Sequence, residues 1–485
     1  MTFYVTTPIY YVNAEPHLGH AYTSIAADVL ARHHRGRGDD TFFLTGTDEH
    51  GEPVADAARA QGLEPRAWAD LNAEKFRALL PAIGVAPDFF IRTTDPEHKR
   101  RVQQVLQRVH DNGHVYKGLY EGWYCPRCAD FKTGSEILEA NRCPIHEIEL
   151  TREQEENWFF RLSAFQQRLE QLFASQPDFV APARARHEAE AFIAQGLQDV
   201  SLSRAKLRWG VEVPWDRSHV FYVWFDALLN YYTALGYAGD GGDLTGRYWP
   251  PSVHLVGKEI LKFHTIYWPA ILWAAELPIP RQVFVHGFLQ GSDGRKMSKS
   301  LGNGLDPFAV LERFGADALR FYLFRDVGFG ADGNVGMDAV AGRYESELAD
   351  DYGNLVSRTV AMIVRYRDGI TPPVTVDPLL EPALARLPPE VAAALDRIDL
   401  SGGLELIWQR VRRLNRYVEE QRPWELARDP QSSARLDTVL ASLHQGVHAV
   451  SVELGPYMPE TSARVLAALA ASPVEPIAPL FPKQP

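Results

Sequence analysis

Cysteine is scarce in this 485-residue chain: there are three, all between Cys125 and Cys143. None is left over for a disulfide framework, which points to a reducing compartment. Long apolar runs are missing too. The longest, near 266–275, is broken by Pro269 and falls short of the roughly 18 residues that a membrane-spanning helix needs. The first predicted strand starts at Phe3, leaving no room for a signal peptide, so a cytoplasmic location is expected. Positive charge is in the minority, with 50 Lys and Arg against 62 Asp and Glu and a net charge of −12. That excludes a surface basic all over, the kind that coats nucleic acid, but not a local basic face. Arg410, Arg412, Arg413, Arg416, Arg422 and Arg428 form one such run, and charge alone reads it as a solvated helix face with Glu419, Glu420 and Glu425 as partners. No internal repeat is found. With 46% hydrophobic and 23% charged residues the composition is ordinary for a globular protein. The length implies about three or four domains.

What is present centres on two turns. His17-Leu18-Gly19-His20 follows a short predicted strand, residues 3–7, and opens a helix whose apolar stripe is Tyr22, Ile25, Ala26, Val29 and Leu30. Gly36 and Gly38 supply its stop. A helix N-terminus offers unpaired N–H groups and the positive end of a dipole. Gly19 lets a flat ring approach the backbone, and both imidazoles can donate to phosphate oxygens. Alone, four such residues are a weak signal, because a buried histidine is usually a hydrogen-bonded core residue. The second turn, Lys296-Met297-Ser298-Lys299-Ser300, adds to it. It follows a predicted strand at 283–289 and is flanked by Gly291, Gly294, Gly302 and Gly304, which suits a mobile clamp for a polyphosphate.

Residues 1–113 alternate strands (42–46 and 89–92) with helices beginning at Pro53, Pro65 and Pro96, the rhythm of a doubly wound parallel sheet. Asp48 stands at a strand's carboxyl end, where ligands of such sheets sit. From 114 to 220 short strands and turns surround Cys125-Pro126-Arg127-Cys128 and Cys143-Pro144-Ile145-His146. Two thiolates on one tight turn, and a thiolate with an imidazole on another, complete a tetrahedral site for one zinc ion. With no position left for water, that zinc is structural. The βα pattern resumes over 221–290, with strands expected at 221–227 and 253–259. Residues 291–350 hold the lysine loop and a linking region. From 351 to 472 the chain reads as helices, one bearing Leu404, Ile407, Trp408, Val411, Leu414 and Val418 on a single face and ended or kinked by Pro423. An extended Pro-rich tail, 473–485, closes it. The predicted fold is α/β, a doubly wound (Rossmann-type) parallel sheet split by a zinc-knuckle connective domain and followed by an all-α helical bundle.

Together His17–His20 and Lys296–Ser300 resemble the signature of the class I aminoacyl-tRNA synthetases. The similarity runs from Thr6 to about Pro482 and is best with the methionine-specific members of one-zinc bacterial type. It implies an enzyme that activates L-methionine with ATP and Mg2+ and charges initiator and elongator tRNA(Met), acting as a monomer away from membranes. It implies that His17, His20, Lys296 and Lys299 are catalytic and that Gly19, Lys258, Glu259 and Ser298 join them around ATP. Ile9, Tyr11, Trp224, Leu228, Tyr231, Ile260 and His264 would surround the methionine side chain, with Asp48 on the substrate ammonium. Aromatic edges suit a thioether, by ~0.3–1.5 kcal/mol per contact. Singly, each aromatic reads as ordinary core. The bacterial pattern has proline where this chain has Leu228, so the resemblance leaves the pocket's shape open there. Asn354, Arg358, Pro423 and Trp424 match positions that meet the anticodon, by stacking and edge-reading of unpaired bases. Trp424 reads equally as bundle core.

Other readings share part of this pattern. Class I enzymes for leucine, isoleucine or valine carry a long editing insertion for which the interval 114–220 has no space. A cysteine enzyme would show both turns, and a small nucleotidyltransferase would not need the bundle. A non-catalytic tRNA-binding scaffold would not need all four of His17, His20, Lys296 and Lys299.

Overall fold

Continuous apolar stretches such as Phe42-Phe43-Leu44 and Val253-His254-Leu255-Val256 become strands buried on both faces, as a parallel sheet covered by helices requires. The computed structural model describes residues 1–482 except 127–129, 133–136, 139, 146, 240–241, 296 and 298–303. It has two units, one made of Met1–Pro16, Gly38–Leu80 and Ala86–His286, the other of His17–Arg37, Pro81–Val85 and Gly287–Pro485.

In the first unit the sheet order is Phe89–Arg92, Asp40–Asp48, Thr2–Thr6, Val253–Gly257, Val283–His286, Val180–Ala181, every neighbour parallel. Tyr10–Tyr11 also pairs with Asp40–Asp48. The chain leaves Thr2–Thr6 toward one edge and later returns to its other side, so Thr2–Thr6 borders the switch point at which such sheets bind ligands. Asp40–Asp48 and Phe89–Arg92 run so close that a Cβ on Gly46 would lie 2.0 Å from the Ile91 carbonyl oxygen. A long antiparallel hairpin, Val115–Cys125 with Thr151–Phe160, stands within the interval 114–220. The same interval also supplies the edge strand Val180–Ala181.

Three expected strands differ. The run 221–227 is not a strand: Asp216–Phe221 pairs antiparallel with Ser203–Arg204, and Val223–Ala227 is a helix, with Leu228 N–H donating to the Trp224 carbonyl at 3.1 Å. A short aromatic run carries no periodicity that separates a strand from a buried helix. The strand at 253 stops at Gly257 and continues as a tight turn, Lys258–Ile260, then a π-helix, Phe263–Tyr267. The strand at 283 stops at His286, and Leu289–Gly291 pairs instead with Gly333–Val335.

The second unit contains the helix Leu18–Gly36 and a bundle of Glu381–Leu395, Leu400–Gln421, Ser433–Leu454 and Pro459–Ala470. The predicted stripe from Leu404 to Val418 is buried throughout. Tyr22 stacks on Phe324 at 5.7 Å, and beside it Arg320 is wholly buried. Its guanidinium donates to Asp28 Oδ2 at 2.7 Å and to the carbonyls of Ile83, Gly84, Pro456 and Tyr457. Among the described residues no helix is long and apolar enough to cross a membrane.

Candidate active site

Asp48 ends its strand and is the register partner of Tyr11. Its side chain is buried, and among the described residues Oδ1 has no hydrogen-bond partner. Burial, and then the charge of Asp226, pushes the carboxyl well above the usual range. A buried carboxylate oxygen without a donor is costly, and a cationic N–H group placed there would relieve the cost.

The aromatic residues gather beside it. Tyr11 meets Trp224 edge-on at 6.4 Å, and Trp224 lies flat on Phe263 at 3.9 Å. The side chain of His264 is Nδ1-protonated, because that nitrogen faces the Ile260 carbonyl at 3.0 Å and a carbonyl can only accept. Its Nε2 therefore accepts the Tyr231 hydroxyl at 2.8 Å. Burial holds His264 neutral, down to about 4. Behind this pair, Trp268 Nε1–H donates to His254 Nε2 at 3.1 Å, so His254 donates from Nδ1 to Thr6 Oγ1 at 2.7 Å. The Tyr4 hydroxyl donates to the Tyr231 carbonyl at 2.7 Å. Ile9 and Ile260 are half-buried against the same core, and Leu228 is fully inside it.

In the second unit, His17 caps the helix Leu18–Gly36. Its Nδ1 accepts the Gly19 N–H at 3.1 Å, while the His17 N–H donates to His20 Nδ1, also at 3.1 Å. The rings stack at 3.7 Å. Imidazole nitrogens thus replace the usual side-chain oxygen of a capping box. With each Nδ1 accepting a main-chain donor, the neutral rings carry their protons on Nε2. Burial, and then His17, holds His20 well below the ordinary histidine range, so it is a neutral donor. A Cβ on Gly19 would lie 3.0 Å from His17 Cε1, so any larger residue there would press on the ring.

The remaining expected residues are spread more widely. Lys258 is half-buried and Glu259 exposed, on the turn after Val253–Gly257. Lys296, Ser298 and Lys299 lie outside the described residues, as do Cys128 and His146. Cys125 and Cys143 are buried in one small cluster with Leu150. No group of three or more His, Cys, Asp and Glu side chains suited to a metal occurs among the described residues. In the bundle, Asn354 is exposed on the helix Asn354–Arg367. One turn along it, Arg358 donates to Glu419 at 2.9 Å and lies 5.8 Å from the Trp424 ring centroid. Trp424 is half-buried and Pro423 buried. Arg412, Arg413 and Arg422 pair with Glu405, Glu420 and Glu425, as a solvated face would. Arg410 does not belong to that face: it is buried and bonded to Glu390 and the Ala383 carbonyl.

Sequence reasoning missed the group beneath the pocket. Asp226 accepts from His50 Nδ1 at 2.6 Å and from His98 Nε2 at 2.8 Å, and all three are buried. Burial raises the Asp226 carboxyl, but the two histidines outweigh it and hold it down to about 2. One signal was readable: His98 shares its helix face with Val102, Val105 and Val109, and a polar side chain on an apolar face requires a partner.

The chain matches the family described as tRNA synthetases class I (M) over residues 3–154 and 134–360. It is 45% identical to the methionine–tRNA ligase of Streptomyces coelicolor, covering 97% of this chain and 90% of that one. Identity is also 45% with the methionine–tRNA ligase of Caldanaerobacter subterraneus subsp. tengcongensis, over 95% of this chain and 72% of the relative. Mycobacterium tuberculosis methionyl-tRNA synthetase bound by methionyl-adenylate superposes with a TM-score of 0.95 at 37% identity, covering 99% of this chain and 100% of that one. The free-state form of that enzyme gives 0.87 at 34% identity, covering 100% of this chain and 98% of that one. On the family match and the near-full-length similarity, this chain belongs to the class I tRNA synthetases (M), the family of the methionine–tRNA ligases.

Proposed function

We propose that this chain activates L-methionine with ATP, releasing pyrophosphate, and transfers the methionyl group to the 3′ end of initiator and elongator tRNA(Met). The observation that carries the amino-acid half is the buried Oδ1 of Asp48, without a partner among the described residues, beside Tyr11 and Trp224. It offers a site for an ammonium next to an apolar, aromatic slot. In that slot Ile9, Tyr11, Trp224, Leu228, Tyr231, Ile260 and His264 hold the thioether. Neutral His264, its nitrogens both engaged, presents no charge to the sulfur.

The reaction needs positioning more than covalent chemistry. A methionine carboxylate oxygen attacks the α-phosphorus, and the bond to the β-phosphate's bridging oxygen breaks as pyrophosphate leaves with the electron pair. His17 and His20, with Gly19 admitting the stack, donate from Nε2 to phosphate oxygens. Lys296 and Lys299 neutralise the departing pyrophosphate, and Lys258, Glu259 and Ser298 complete the ATP site. Bound with the nucleotide, Mg2+ would supply charge neutralisation at the phosphates. A terminal ribose hydroxyl of the tRNA then attacks the methionyl carbonyl and AMP leaves. Asn354, Arg358, Pro423 and Trp424 meet the anticodon.

We assign the catalytic halves to 1–113 and 221–290, the connective domain to 114–220, the lysine loop and linking region to 291–350, the anticodon bundle to 351–472 and an extended tail to 473–485. Cys125, Cys128, Cys143 and His146 would hold one zinc that cross-links two turns. The fit rests on the two buried thiols sharing a cluster. Zinc content of Cys128→Ser tests it: retention of a full equivalent would reject the assignment. The reading also includes a cytoplasmic, single-chain enzyme. Amino-acid-dependent ATP–pyrophosphate exchange, run across all twenty amino acids, tests the whole. Methionine alone is expected to support it, and a flat response to methionine would overturn the proposal.

A further inference from the structure

Beneath the proposed methionine pocket, one line of hydrogen bonds crosses three walls. His50 Nδ1–H donates to Asp226 Oδ2 at 2.6 Å, and His98 Nε2–H donates to Asp226 Oδ1 at 2.8 Å. An ionised carboxylate only accepts, so both imidazoles must donate. His98 Nδ1 is hydrogen-bonded to the Thr233 hydroxyl at 2.7 Å. All four side chains are at most 2% exposed. Three pocket residues lie two positions before a member of this line: Asp48 before His50, Trp224 before Asp226, and Tyr231 before Thr233. Asp48 supplies the ammonium wall, Trp224 the aromatic wall, and Tyr231 the hydroxyl on His264. The neighbouring acid takes no part: Glu49 is already held by Arg92 at 2.6 and 2.9 Å and by Thr47 and Thr94.

We infer that His50, Asp226, His98 and Thr233 form a positioning relay that sets the spacing between the ammonium and side-chain walls and thereby the choice of amino acid. None of the four is assigned contact with the substrate; they act through Asp48, Trp224 and Tyr231, so the inference rests on the reading of those three as the methionine pocket. A buried charge is a poor way to add stability, since an apolar replacement of similar volume packs as well or better. What a carboxylate adds is direction. Two oxygens with fixed lone pairs hold two rings in one orientation, and each ring holds its own stretch of chain. Distances between reacting groups are sensitive to such support, because a shift near 1 Å can cost ~100-fold in rate.

The test is steady-state exchange kinetics on the full chain with Asp226→Asn, Thr233→Val and Thr233→Ser, using methionine, ATP and norleucine, which replaces the sulfur with a methylene. In Asp226→Asn one amide oxygen still accepts, but the amide NH2 faces the second imidazole donor to donor, so one ring must turn or move its proton to its other nitrogen, and the carboxylate charge that both rings face is lost. KM for methionine is expected to rise about tenfold with KM for ATP within about twofold, and the preference for methionine over norleucine should shrink. Thr233→Val should do the same to a smaller extent, and Thr233→Ser should restore both values. If Asp226→Asn does not fold, the Thr233 pair decides. Unchanged methionine KM and selectivity in folded variants overturns the relay, as does a proportional loss for methionine and ATP. Failure of the unaltered protein to respond to methionine removes the pocket reading instead.

Discussion

At the histidine turn, two hydrogen bonds that shape the site span only two or three residues, Gly19 to His17 and His17 to His20. In the aromatic pocket the corresponding bonds span 128 residues for His98 and Asp226, 176 for His50 and Asp226, and 248 for Thr6 and His254. A turn with bonds of such short reach can be aimed in part by its own side chains. A pocket closed by distant segments holds its shape only when the sheet and its helices have already assembled, and an error at one wall reaches the others. Damage to the turn should therefore stay with the chemistry, and damage to the pocket should spread through binding.

The largest break is expected at Asp48. Asp48→Asn removes the charged partner of the proposed ammonium, and losing one side of a buried ion pair typically costs ~3–5 kcal/mol. kcat/KM for methionine in the exchange reaction should fall by about two to three orders of magnitude. A loss under tenfold would mean that the amino group binds elsewhere. At the turn, His20→Ala should remove ~3–4 kcal/mol of transition-state stabilisation, read as kcat, while KM for methionine holds. Gly19→Ala should move the same way by less, through the 3.0 Å approach to His17 Cε1. If either variant alters methionine KM more than kcat, the two regions are not separable in the way their bonding suggests.

Acid sharpens the comparison from another side. The unfolded chain protonates His264 near the ordinary histidine value of about 6.5, whereas burial holds the folded ring down to about 4. Between those values the unfolded state binds more protons, so stability falls as pH drops through that window and levels below it. This one buried ring should contribute about 3 kcal/mol to the loss. Urea titrations at pH 7 and 4.5 should show it, and His264→Gln should flatten the difference. An unchanged pH dependence in that variant would count against the assigned tautomer and burial. The smallest expected effect lies in the bundle. Trp424→Ala should lower tRNA charging by ~1–3 kcal/mol of stacking energy while sparing exchange. Equal losses in both assays would place Trp424 in the core rather than on the anticodon.

The same division explains what could be read in advance. The stripe on Leu18–Gly36 and the face from Leu404 to Val418 depend on spacings within a few turns, and each formed as expected. The run at 221–227 was misread as a strand because its burial comes from both sides and leaves no alternation. Arg410 was assigned to solvent by charge, yet it turns inward to Glu390, a partner on another helix. Asp226 was invisible in a row of aromatics, and only its two imidazole donors, brought from 176 and 128 residues away, make it meaningful.

The linear chain alone carries the local patterns: a helix opening at His17–His20, buried strands alternating with helices, and an amphipathic bundle. These follow from period and reach, which short segments carry within themselves. Folding alone settles which polar groups find partners and which, like Asp48 Oδ1, have none among the described residues. Desolvation and hydrogen-bond satisfaction belong to the assembled interior, where the partners come from segments that the linear chain keeps far apart.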